Sequence, residues 1–120
     1  MPLTVPNYLA GFVGKPVLPL DAPEVSAAIE RVQERTDALL NCGGTHRPEW
    51  FHRKLGDILY EGCGVSRDEA GLLDALTKVR ELREEFWRDV KVVGSGTRLN
   101  QELEKAGRVA DFIELGEVMI

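Results

Sequence analysis

The chain has 120 residues, 43% of them apolar and 29% charged, with 20 acidic against 15 basic side chains and a net charge of −5. That length suits one domain with one core, and the mixture is that of a folded chain rather than a disordered one. An acidic balance without a Lys/Arg cluster argues against nucleic-acid backbone binding, and no apolar run approaches the roughly 20 residues of a membrane-spanning helix.

Residues 1–20 hold four of the six prolines and two of the twelve glycines. They predict an extended arm with at most one short turn of helix near Asn7–Phe12. The arm is apolar but lacks a basic leader segment, so it does not read as a signal peptide. Two cysteines 21 positions apart are no disulfide framework, and a reducing, cytoplasmic compartment is expected.

The first main helix starts at Asp21-Ala22-Pro23-Glu24, with Asp21 as cap and Pro23 in the first turn, where a missing N–H is harmless. Val25, Ile29, Val32, Thr36 and Leu39 recur at helical spacing, and the helix should stop at Asn41 before Gly43-Gly44. A second opens at Pro48, turns Phe51, Leu55, Ile58 and Leu59 inward, and ends at Gly62 or Gly64. The third starts at the capping box Ser66-Arg67-Asp68-Glu69. Its inner face is Leu72, Leu73, Leu76, Val79, Leu82, Phe86, Trp87 and Val90, and Arg83 falls within that stripe. After the break at 92–97, Asn100 caps a fourth helix striped by Leu99, Leu103, Ala106, Ala110 and Ile113. Short Gly-bearing turns between one-faced helices predict an all-α fold. It is an up-and-down antiparallel bundle of three to four helices over residues 21–120, preceded by the extended arm 1–20.

Both cysteines and both histidines lie between Asn41 and Cys63, as Cys42, His46, His52 and Cys63 in a C-x3-H-x5-H-x10-C string. Structural zinc sites bring ligands in close pairs. Here the helix would separate His52 from Cys63 by about 16 Å, too far for one ion. A Cys–His nucleophile lacks an orienting Asn or Asp and an oxyanion loop. Cys63, between two glycines, reads instead as a small apolar residue in a helix corner, with His46 and His52 at the surface or boundary. The glycines at 94 and 96 follow a helix rather than a strand and lack the third glycine of a dinucleotide fingerprint. Glu84-Glu85 and Glu102/Glu104 read as solvated faces. Arg83 should snorkel or pair with an acid on a neighbouring helix. Phe86-Trp87 should anchor the core or an interface. No catalytic, cofactor-binding or metal residue is assigned.

The segments GCGVSRDEAGL (62–72), LREEFWRDVKV (82–92) and LNQELEKAGRVADFIELGEVM (99–119) resemble consecutive pieces of the flavoprotein subunit of succinate dehydrogenase and fumarate reductase. The likeness is good over residues 54–120. It is looser over 7–53, through NYLAGF, PLDAPEV and the first amphipathic helix. Aspartate oxidase and adenylylsulfate reductase share the architecture, and a free-standing helical interaction module is the alternative class.

The resemblance implies the helical domain on the C-terminal side of that subunit, excised from its parent, with the arm 1–20 as junction to a missing flavin-binding domain. The family's parent carries covalent FAD, interconverts succinate and fumarate, and passes electrons to an iron–sulfur subunit, peripheral on the cytoplasmic face of the inner membrane. The family's flavin-attaching histidine, dicarboxylate ligands and proton-donating arginine belong upstream, and another His/Arg stretch follows the last helix. No catalytic residue carries over, and FAD belongs to the parent. The expected partners are the parent's flavin-binding domain and the iron–sulfur subunit.

The last helix changes character along its length. Phe112, Leu115, Val118, Met119 and Ile120 spread round its circumference, and Glu117 interrupts the stripe. An exposed apolar patch of Phe112, Leu115 and Met119, with the Tyr8–Phe12 arm as a further candidate, should drive weak self-association of the isolated domain.

Overall fold

Helix caps and prolines divide the chain into five helices in a computed structural model that describes residues 4–120. They are α1 (Thr4–Ala10), α2 (Pro23–Asn41), α3 (Pro48–Cys63), α4 (Glu69–Asp89) and α5 (Gln101–Met119). Among the described residues there is no sheet, and the sole strand-like pairing is a parallel bridge between His46 and Val90. None of these helices is long and apolar enough to cross a membrane.

Residues up to Arg31 form one compact unit and Val32–Ile120 another. In the first, the expected turn near Asn7–Phe12 is a seven-residue helix that begins earlier, at Thr4. Pro6 does not prevent this, because the N–H groups of a first turn have no helical partner. Residues 11–13 continue as i→i−3 turns, Phe12 N donating to the Leu9 carbonyl at 2.9 Å. The Tyr8 and Phe12 rings meet at a tilt with centres 5.0 Å apart, and Lys15 lies 4.9 Å from the Phe12 ring centre. Pro23 opens α2, whose first carbonyl acceptor is Ala22.

The second unit is a three-helix bundle. Lys54 pairs with Glu85, and Gly62 lies against Ala75, so α3 and α4 run antiparallel. Arg83 meets Glu114 and Arg80 meets Glu117, so α4 and α5 do too. The core is Phe51 and Leu55 from α3, Val79, Leu82 and Phe86 from α4, Val90, and Ala106, Val109, Ala110 and Ile113 from α5, joined by Leu39 near the end of α2. Phe51 and Phe86 meet edge to face at 5.2 Å and are fully buried.

Several sequence expectations shift here. The cap of α4 is Asp68 rather than Ser66, its carboxylate accepting from Gly71 N at 2.8 Å, so the helix starts two residues later and Gly71 leaves the cap without the reciprocal half of a box. Leu73 is exposed, and the buried residue in this part of α4 is Ala75. A Cβ on Gly62 would collide with that of Ala75, so the α3 and α4 backbones are too close here to hold a leucine between them. Asn100 caps α5 as expected, accepting from Glu102 N and Leu103 N. That leaves Leu99 outside the helix and fully exposed, and Val109 joins the core stripe. In α2 Ile29 and Val32 stay exposed, and the stripe is buried only at Leu39.

Candidate functional site

The Cys/His string is dispersed among different partners. Cys42 Sγ donates to the Trp87 carbonyl at 3.4 Å, while Cys63 is buried at the end of α3. His52 projects to the surface beside Phe112, with ring centres 5.6 Å apart. His46 stacks on Trp50 at 4.0 Å and pairs through Nδ1 with Asp89. Among the described residues, no three His, Cys, Asp or Glu side chains are grouped to hold a metal ion.

His46 belongs to a knot that sequence reading did not find. Gly44 N donates to the Val90 carbonyl and His46 N to the Asp89 carbonyl, both at 3.2 Å; Lys91 N donates to the His46 carbonyl at 2.8 Å. The Asp89 carboxylate also accepts from Thr45 N and from Thr45 Oγ, each at 2.8 Å. Any side chain at Gly44 would overlap the Asp89 backbone. The His46 contact, followed by the Thr45 hydroxyl and amide, holds the Asp89 carboxyl down to about 2, since each favours the anion. These residues are 43 positions apart in sequence, and the only local hint was a glycine pair before Thr-His. Chemically the knot is a staple: it ties the α2–α3 loop to the end of α4.

Of the other charged residues singled out in the sequence, Arg83 and Glu85 bridge helices, whereas Glu102 and Glu104 pair within α5. Arg83 pairs with Glu117, and its Nε lies 2.8 Å from Glu114 Oε1 without hydrogen-bond alignment. Arg80 Nε donates to the other Glu117 oxygen at 2.8 Å. Glu85 accepts from Lys54 at 2.8 Å, and that ammonium lies 4.5 Å from the Trp50 ring centre. Lys105 joins Glu49 at 2.7 Å and Glu102 at 3.4 Å, and Arg108 pairs with Glu104. These bonds lower the Glu49 carboxyl and raise the Lys105 ammonium. In the 92–100 loop, Asn100 Nδ2 donates to the Val93 and Ser95 carbonyls, so the GSG turn is closed by the α5 cap.

The α4–α5 seam carries three ion pairs and the other two seams one each. The α4–α5 seam is bridged by Arg80, Arg83, Glu114 and Glu117, and the α3–α4 seam by Lys54 and Glu85. The α3–α5 seam has one ion pair, at its Glu49–Lys105 end. Beyond it lies an open groove of about 210 Å³ lined by Leu55, Gly56, Leu59, Phe112, Leu115 and Met119, with His52 at its rim. Leu115 and Met119 are more than half exposed and Phe112 38% exposed, which meets the expectation of an apolar patch on α5. Gly56, inside a helix where glycine costs about 1 kcal/mol relative to alanine, faces open space within the 4 Å around its missing Cβ.

A bundle whose charges tie helices together, and which leaves one apolar face open, is an all-α domain of three to four packed helices. The chain belongs to the family described as fumarate reductase flavoprotein C-term, which matches residues 52–120, more than half of it. It is 28% identical to the fumarate reductase flavoprotein subunit of Haemophilus influenzae over 95 residues, covering 79% of this chain and 15% of that protein. Against the fumarate reductase flavoprotein subunit of a Serratia species it is 26% identical over 101 residues, covering 84% of this chain and 17% of that protein. The chain thus spans less than a fifth of the length of these curated relatives. No solved structure gives a significant match.

Proposed function

We propose that this chain is a non-catalytic helical domain of a succinate dehydrogenase or fumarate reductase flavoprotein subunit. It packs on the flavin-binding and substrate domains of a parent that interconverts succinate and fumarate. Residues 1–20 join the flavin-binding domain and residues 21–120 form the helical domain. FAD is held by the parent, which passes electrons to an iron–sulfur subunit on the cytoplasmic face of the inner membrane.

The observation that carries this reading is the use made of the charged side chains. The pairs Arg83–Glu117, Lys54–Glu85, Lys105–Glu49 and His46–Asp89 each join separate segments of the bundle. Groups committed in this way build a wall rather than a reaction centre. Family membership supplies the context for the wall.

Dye-linked succinate oxidation tests the proposal. The chain alone should be inactive, and the remainder of the parent subunit should oxidise succinate at full rate only when this chain is present. Turnover by the chain alone, or full turnover without it, contradicts the reading.

A further inference from the structure

We infer that the α3–α5 groove is the seat for an apolar segment from the remainder of the flavoprotein subunit. This rests on the reading of the chain as a domain of that subunit and adds which face is used and by what chemistry. The α4–α5 seam carries three ion pairs and the α3–α4 and α3–α5 seams one each, and beyond Glu49–Lys105 the α3–α5 seam opens into an apolar groove. Leu55 and Leu59 wall the groove from α3, and Leu115 and Met119 from α5. Apolar surface of this kind is covered where a protein docks.

Two glycines make the groove shallow enough for close approach. Gly116 lies against Leu55, whose Cδ1 would sit 3.2 Å from an added Cβ, so packing within the bundle accounts for it. Gly56 has no such neighbour. A helix-weakening residue that no internal contact requires fits a place where another backbone or side chain comes close.

Family and length identify the occupant. The relatives are flavoprotein subunits, of whose length the matched region is only 15% and 17%. The rest of the same polypeptide is therefore the apolar surface present at equal concentration. A second copy is the less favoured occupant, because each chain carries a net charge of −5 and two copies repel.

The test places Gly56→Leu and Leu115→Glu in the complete flavoprotein subunit, with Leu73→Glu as an exposed control on α4, outside the groove. The readout is the temperature at which flavin fluorescence appears. Circular dichroism of the same variants in the 120-residue chain checks that the helices still form. Both groove variants should show flavin fluorescence several degrees below the parent and keep their helicity in the isolated chain, while Leu73→Glu should match the parent. If they match the control while deletion of residues 32–120 lowers the temperature at which flavin fluorescence appears, the assigned face is wrong and the domain reading stands. If that deletion also has no effect, the domain reading itself fails. If the isolated chain forms a discrete dimer at micromolar concentration that Leu115→Glu abolishes, the occupant is a second copy and the inference is overturned.

Discussion

Arg83 of α4 and Glu117 of α5 pair with each other at the point where each interrupts the apolar stripe of its own helix. Arg80 shares Glu117, so one carboxylate serves two guanidinium groups across the seam. The side chains of Arg83 and Glu117 are 29% and 23% exposed, so the pair is only partly screened by water.

Glu117→Ala should therefore destabilise the chain by about 1–2 kcal/mol, less than a fully buried pair would lose, because solvent still reaches Arg83. Replacing both partners, as Arg83→Met with Glu117→Leu, should recover most of the loss, since no unpaired charge remains. Urea denaturation of the three proteins measures this. A double variant no more stable than Glu117→Ala would mean the pair is not the cause.

Phe86→Ala should cost about 3–5 kcal/mol through lost burial and a residual cavity. Phe86 is fully buried against Phe51 and Trp87, so little solvent is available to offset the loss. Thermal unfolding reads this directly, and an unchanged midpoint would contradict the packing of α4.

Asp89 titrates in the fold at about 2 rather than at its ordinary 3.8. The fold favours its anion, so the stability it contributes is fully present above its unfolded value and is lost as pH falls through about 2. Urea midpoints taken from about pH 5 down to about pH 2 should drop more steeply for the native chain than for Asp89→Asn, which has no carboxylate to protonate. Parallel curves would show that the His46–Asp89 staple does not contribute.

Cys42, His46, His52 and Cys63 each have a different neighbour, so protein purified without chelator should hold no stoichiometric zinc. Elemental analysis finding one tightly held zinc per chain would contradict this.

Much of the bundle was legible because helix ends and stripes are local signals. Pro48 and Asn100 start their helices where the sequence places them, and Phe51, Val79, Leu82, Phe86 and Ile113 are buried as their spacing requires. Leu73 and Ala75 were misjudged because periodicity reports a face but not how closely two backbones approach, which Gly62 decides. The partner of Arg83 was legible only as a type, an acid on a neighbouring helix. Of the Thr45–His46–Asp89 knot only the glycine pair before Thr45 was legible, because it joins distant segments through contacts with no sequence period.

If these residues build a packing domain and leave the chemistry to the rest of the subunit, as proposed, the visible absorption spectrum of the purified 120-residue chain after incubation with FAD and gel filtration should show it. The protein fraction should be colourless, with all flavin eluting as free cofactor. A flavin absorption band that stays with the protein in stoichiometric amount would contradict it.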